Sequence, residues 1–156
     1  MTAAPAPAGH PNAALIARFY AALDRRDAAA MIACYHPKAT FSDPVFPQLD
    51  AHGVAAMWRM LCERGTDLAV AASDISADAT SGHAHWVATY TYSATGRRVV
   101  NRIDADFLFR DGLVYRHQDR FDLYRWLRQA LGAKGLALGW LPAVRRATQA
   151  QAAKTL

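Results

Sequence analysis

Cysteine is scarce in this chain: Cys34 and Cys62 are the two it has, and both fall inside helical patterns. That excludes a disulfide framework and a cysteine-rich metal site, and makes a reducing compartment, the cytoplasm, the expectation, with two buried thiols. No apolar run approaches the roughly 18 residues of a membrane-spanning helix. The opening Met1-Thr-Ala-Ala-Pro-Ala-Pro-Ala-Gly-His10 has neither the basic flank nor the apolar core of a secretory signal, and residues 1–11 read as a disordered lead. Acid is missing from the last stretch: after Asp122 come Arg125, Arg128, Lys134, Arg145, Arg146 and Lys154, with no carboxylate. The whole chain has 18 Lys and Arg against 13 Asp and Glu, a net +5, so residues 1–122 sum to −1 and the positive charge belongs to the end. A nucleic-acid binder shows a basic face on the domain itself, so no nucleic-acid partner is expected.

What the chain has is apolar substance. Its 156 residues are 53% hydrophobic and 20% charged, outside the range of disordered chains. A chain this long buries roughly two thirds of its unfolded surface and forms one domain without a metal or disulfide staple. Leu15, Ile16, Phe19, Tyr20 and Leu23 make a helical stripe over residues 12–23, with Asn12 as its cap. Asp27 caps a second short helix through Met31, Ile32 and Tyr35, which ends at His36-Pro37 because proline pushes its predecessor out of the helical region. Ala39 to Val45 reads as extended, and Gly53 to Glu63 as a third helix with Trp58 on its apolar side. From Leu68 the period changes to alternation with turn signals, predicting an antiparallel meander over about 67–76, 83–93, 98–110 and 113–123. A last helix covers about 124–131. The domain therefore spans 12–131, followed by a basic extension, 132–156, interrupted by Gly132, Gly135 and Gly139 and weakly helical from 143. Helices first, then an antiparallel sheet, then a short helix gives an α+β class.

Hairpin registers decide which side chains share a face. A two-residue Thr95-Gly96 loop pairs Tyr92 with Val99, Tyr90 with Asn101, Ala88 with Ile103 and Trp86 with Ala105. One face, the core, then carries these residues with Phe107 and Phe109; the other carries His85, Thr89, Thr91, Arg102, Asp104 and Asp106. At the next hairpin, a two-residue Asp111-Gly112 loop would gather His117 and Asp119 beside Asp104 and Asp106, and three carboxylates on one face are expensive to bury. A three-residue loop with Gly112 left-handed at a bulge pairs Ile103 with Asp119, Ala105 with His117 and Phe107 with Tyr115, and sets Asp106 against Arg116 outside. The second register is the better one on both faces. It puts His117 and Asp119 on the apolar face, roughly 6.5 Å apart along the strand, with Asn101, Tyr90 and Trp86 nearby. Polar groups there need partners or water, so the cluster predicts a wet or ligand-filled hollow.

Leu15-Ile-Ala-Arg-Phe-Tyr-Ala-Ala-Leu23, Asp27 to Tyr35, Ala39-Thr-Phe-Ser-Asp-Pro-Val45, Gly53 and the strand–Arg110-Asp-Gly112–strand hairpin together resemble the nuclear transport factor 2-like superfamily, over about residues 12–128. That group includes ketosteroid isomerases, SnoaL-like polyketide cyclases, scytalone dehydratase and limonene epoxide hydrolase. The resemblance implies a cone-shaped curved antiparallel sheet wrapped on N-terminal helices (a cystatin-like α+β barrel), a pocket in the cone, and a homodimer through the sheet. Such a fold hosts enzymes and non-enzymes alike. Ketosteroid isomerases carry a motif like Ala-Thr-Phe-Ser-Asp-Pro whose aspartate is their general base, and Asp43 holds that position here. Their oxyanion-donating helix tyrosine falls on Phe19, with Tyr20 directed elsewhere. Their second acid falls on Ala105 in the register above, or on Asp104 in an ungapped alignment.

The resemblance and the inner face together lead to an expected acid–base enzyme on a small, largely apolar carbonyl compound, by dehydration, isomerisation or cyclisation. Asp43 or His117 would be the base, Asp119 would orient His117, and Asn101 or Tyr90 would donate to a developing oxyanion. Phe19, Trp58, Trp86, Tyr90, Asn101 and Phe121 would bind the substrate. His117, Asp119 and Asp43 lack a metal-ligand spacing, so no metal or other cofactor is expected. The alternative is a non-catalytic dimeric module that binds a small molecule or a protein. A lesser expectation concerns Leu136-Ala-Leu-Gly-Trp-Leu-Pro142 and Arg145-Arg146, an apolar-basic pair suited to an anionic membrane surface. Gly135 and Gly139 weaken it as a helix, and the rival expectation is that the segment folds over the cone mouth or a partner protomer.

Overall fold

Proline at a first helical turn loses nothing, because its missing amide would have had no partner there. Helix α1 (Pro11–Asp24) starts in this way, one residue earlier than expected, with the His10 ring accepting from the Asn12 amide. The computed structural model describes residues 9–156; residues 1–8 of the expected lead lie outside the described residues. Asn12 is therefore not the cap. It is buried, and its side-chain amide donates to the carbonyls of Asp78 and Ala79 at 3.0 and 3.4 Å, tying the helix to a distant turn. Helix α2 (Ala28–Ile32) has Asp27 as its cap and stops three residues short of Tyr35. Tyr35 instead opens strand β1 (Tyr35–Ser42), because the restriction that Pro37 imposes on His36 favours extended backbone. Helix α3 (Ala51–Arg64) follows, with the Asp50 carboxylate accepting from the Gly53 amide at 2.8 Å.

The strands are β2 (Ala69–Ala77), β3 (Ser81–Tyr92), β4 (Arg97–Arg110) and β5 (Leu113–Arg120), and the helices α4 (Leu123–Leu131), α5 (Ala133–Leu138) and α6 (Pro142–Ala153) complete the chain. The sheet order is β1-β5-β4-β3-β2, curved and not closed, which is the expected α+β architecture. Four strands form the antiparallel meander; β1 adds at the edge, parallel to β5, with Phe41 level with His117 and Ser42 with Gln118. Among the described residues no helix is long and apolar enough to cross a membrane.

Both hairpins depart from the expected pairing while keeping its faces. Tyr92 pairs with Arg97, Tyr90 with Val99, Ala88 with Asn101 and Trp86 with Ile103, a slip of two residues. Because side chains alternate with period two, a two-residue slip preserves each face. The second hairpin uses the two-residue turn after all. Asp111 (φ 54°) and Gly112 (φ 73°) are both left-handed, as a type I′ turn requires, and pair Arg110 with Leu113. The extra residue sits further along, where β5 bulges at Tyr115 between the Phe109–Val114 and Leu108–Arg116 pairs. That bulge flips the parity, so His117 faces inward beside Phe107 and Asp119 beside Ala105. Outside, Asp106 lies opposite Gln118 and binds Arg120 at 2.7 Å, not Arg116.

The main core joins α1, α3 and the concave face of the sheet through Ile16, Phe19, Phe41, Met57, Trp58, Ala84 and Phe107. Each large side chain buried there contributes roughly 1.5–3 kcal/mol of transfer free energy. A smaller core joins α4 to the start of β4 through Val99, Leu123, Trp126, Leu127 and Ala130. Val45, Tyr90 and Phe121 pack against both, so they mark the seam between them.

Candidate functional site

The parallel β1–β5 pair sets the site. With Ser42 level with Gln118, the next step places Asp43, just past the end of β1, at the level of Asp119. The three residues expected to carry acid–base chemistry are thus brought to one edge of the concave face.

His117 is wholly buried and both ring nitrogens are engaged. Nε2 lies 2.8 Å from Asp119 Oδ1, and Nδ1 lies 2.7 Å from the Tyr35 hydroxyl, which accepts from Trp58 Nε1 at 3.0 Å. Indole N–H can only donate and a carboxylate only accepts. The chain of bonds is therefore complete with a single proton on the imidazole, at Nε2: Trp58 donates to Tyr35, Tyr35 to His117, and His117 to Asp119. Phe107, Phe41, Phe19, Tyr35 and Trp58 box the ring, with centroids between 4.4 and 6.4 Å away. Burial pushes the Tyr35 hydroxyl well above its ordinary range, so it stays a donor.

Asp43 occupies a tight turn, as an aspartate before proline often does. Its Oδ1 accepts from the Val45 and Phe46 amides at 2.7 and 2.6 Å. Among the described residues its Oδ2 has no hydrogen-bond partner. Burial pushes the carboxyl up to about 7; the two amides pull the other way, and the charge of Asp119 adds to the rise. Tyr90, pushed up to about 12 chiefly by burial, feels the Asp43 charge as well. Its hydroxyl accepts from Trp126 Nε1 at 2.7 Å, which leaves its own proton free to donate.

Among the described residues, two donors in this interior lack acceptors. The Tyr20 hydroxyl and Trp86 Nε1 are buried without a hydrogen-bond partner, on rings 5.4 Å apart. Tyr20 is also the side chain that the sequence reading directed elsewhere on the helix. It is buried, and that burial, with a smaller contribution from the Asp119 charge, raises its hydroxyl well above the ordinary range. An unpaired buried donor costs about 1–3 kcal/mol, so a molecule that supplies an acceptor recovers that cost.

The expected binding residues divide. Phe19 and Trp58 wall the imidazole, Trp86 brings an unpaired donor, and Tyr90 and Phe121 stand at the seam. Asn101 is inward and nearly buried but not beside His117: it lies six residues along β4 from Phe107, the partner of His117. That is about 20 Å of strand. Sequence reasoning missed Tyr35, Tyr20 and Trp126. For Tyr35 a usable signal existed, since Tyr35, Pro37, Ala39 and Phe41 already alternate. Among the described residues no group of three or more His, Cys, Asp or Glu is arranged to hold a metal ion.

Set against known proteins, residues 16–117 match the family model described as a SnoaL-like domain. No curated protein matches the chain. Its fold is similar to that of a protein proposed as a polyketide cyclase from Xanthomonas campestris pv. campestris, with 22% identity, TM-score 0.65, 77% of this chain and 96% of that one covered. An NTF2-like protein of unknown function from Burkholderia pseudomallei superposes with TM-score 0.69 at 17% identity, over 78% of this chain and 98% of that one. An epoxide hydrolase of M. tuberculosis described as LEH-like gives 0.63 at 18% identity, over 87% and 99%. At these identities the likenesses establish the fold.

Proposed function

The chain belongs to the SnoaL-like domain family, and on that premise we propose that it is an acid–base enzyme acting on a small, largely apolar carbonyl compound. The observation that carries this reading is a carboxyl pushed up to about 7 in the same interior as two buried donors without acceptors. A general base works best with a pKa near the working pH. Asp43, through the unbonded Oδ2, takes a proton from carbon next to the substrate carbonyl. Tyr20 and Trp86 donate to the oxygen on which charge then develops, where preorganised donors act most strongly. His117, closed on both nitrogens, is a positioning residue: it holds Asp119, whose charge helps keep the Asp43 pKa high. Trp86, Tyr90 and Phe121 give the apolar contact. Dehydration, isomerisation and cyclisation all begin with this proton transfer.

The test is turnover of a panel of cyclic and aromatic carbonyl compounds. Asp43→Asn is expected to lower kcat/KM about 10²–10⁴-fold and Tyr20→Phe about 10²-fold. Wild-type kcat/KM should rise with pH through about 7, as Asp43 loses its proton. Full activity in Asp43→Asn defeats the assignment.

One observation favours a second reading, a non-catalytic small-molecule-binding module: the imidazole is sealed, with no exposed surface and no free nitrogen. It predicts ligands that raise Tm without turnover, equally in wild type and Asp43→Asn.

A further inference from the structure

On the convex side of the sheet, between β4 and the α4–α5 pair, runs a groove of about 720 Å³. Five arginines line it: Arg97, Arg98 and Arg102 from β4, and Arg125 and Arg128 from α4; no carboxylate does. Arg98 comes within 3.9 Å of Asp67, whose oxygens already serve the amide and hydroxyl of Thr91. Among the described residues none of the other four has a carboxylate within 4 Å.

The walls are stitched together. The Gln129 side chain accepts from the Val100 amide at 2.7 Å and donates to the Val100 carbonyl at 3.1 Å, while Arg97 Nε donates to the Gln129 carbonyl at 2.8 Å. The like charges are therefore held beside one another, and such a field attracts acid. Their spacing narrows the choice of occupant. Arg98 and Arg102 stand about 13 Å apart along one wall, and Arg125 and Arg128 are a helical turn apart on the other. Charge thus runs along the groove and does not converge on the single point that one phosphate group would need. Apolar surface lies among the charges: Val100, 37% exposed, sits between the two β4 arginines, and Leu136, 59% exposed, lines the same groove. No aromatic ring lines it, so it offers no platform for stacked bases.

We propose that this groove docks an acidic, partly apolar helical segment of a partner protein. Carboxylates along one side of the segment pair with the arginine forks, which suit carboxylate geometry, and its apolar side chains cover Val100 and Leu136.

The experiment is fluorescence anisotropy of the full chain with a labelled amphipathic helical peptide of about 20 residues, glutamate on its polar face and leucine on the other. Saturable binding that weakens steeply with salt is expected. Arg102→Glu with Arg125→Glu should weaken it at least tenfold, and Leu136→Asp should weaken it while circular dichroism stays unchanged. Arg145→Glu with Arg146→Glu changes the charge equally outside the groove and should keep affinity within twofold. Equal losses in the two double variants, or no binding of the peptide at low salt, overturn the proposal. So does binding of oligothymidine or phosphatidylglycerol vesicles through these arginines in place of the peptide.

Discussion

Oδ1 of Asp43 is spent on the turn, and partial burial of the side chain, which pushes the carboxyl up to about 7, carries a cost. Linkage makes that cost measurable. The native carboxyl titrates near 7 and an unfolded aspartate near 3.9, so between those values the folded state holds the extra proton. Stability therefore falls as pH rises from about 4 to about 7, the opposite of the usual aspartate. Asp43→Asn keeps an oxygen for the two amides and removes the charge. Urea denaturation is expected to show it more stable than wild type by about 2–4 kcal/mol at pH 8 and unchanged near pH 3.5. Turnover should move the other way over the same range, so one group answers for both curves. Tyr35→Phe is the matching loss inside the network. It strands the Trp58 indole N–H and His117 Nδ1, at a cost of about 2–4 kcal/mol in the same measurement.

At the scale of elements, the Asp111-Gly112 turn and the Tyr115 bulge together decide whether the site exists. The turn alone would continue the regular pairing and set the imidazole and carboxylate toward the outer face; the bulge returns them. Gly112 has φ 73° with open space where a Cβ would stand, so Gly112→Ala costs backbone conformation alone, about 1 kcal/mol, visible as a small drop in Tm. Deleting Tyr115 takes out the extra residue itself, so Leu108 still meets Arg116 and Phe107 still meets His117, with the imidazole inward on a regular strand. Cooperative unfolding is expected to persist, as it is for Tyr115→Ala, which keeps the bulge.

For the molecule as a whole, the basic end is part of the folded body. Pro142–Ala153 is a helix, α6, where a weakly helical tail was expected. None of its residues is buried, yet Gln149 donates to the Pro44 carbonyl at 3.0 Å, beside Asp43, and Val144 and Ala152 touch the two cores. These contacts lay α6 beside the turn that holds Asp43. Ending the chain at Leu141 should therefore shift Tm by no more than about 2–4 °C. The same truncation should speed amide exchange across residues 43–46, read by mass spectrometry, because the 43–46 turn loses its outer contact. The arginine groove shows why charge summed along the sequence misleads at this scale. Residues 1–122 are near neutral in total, but the fold sets Arg97, Arg98 and Arg102 against Arg125 and Arg128 and leaves the acids elsewhere.

The α+β class, the first, third and fourth helices, the meander strands and the inward faces of β3 and β4 were legible in the chain, whereas the start of β1 at Tyr35 and the helices α5 and α6 were not. The legible parts follow from local rules: apolar period, capping residues and the two-residue repeat of a strand, which forgives even a two-residue slip. The pairing of β1 with β5 was not legible, because a parallel edge strand joins segments with no turn between them to fix the register. Nor was the bulge at Tyr115, since packing on both faces of the sheet selects it. Asp43, His117 and Asp119 could be named from the sequence, but their meeting depends on those two long-range choices. Tyr35 and Tyr20 joined the site only once tertiary packing had settled what lay opposite them, since only the fold determines whether a buried polar group finds a partner.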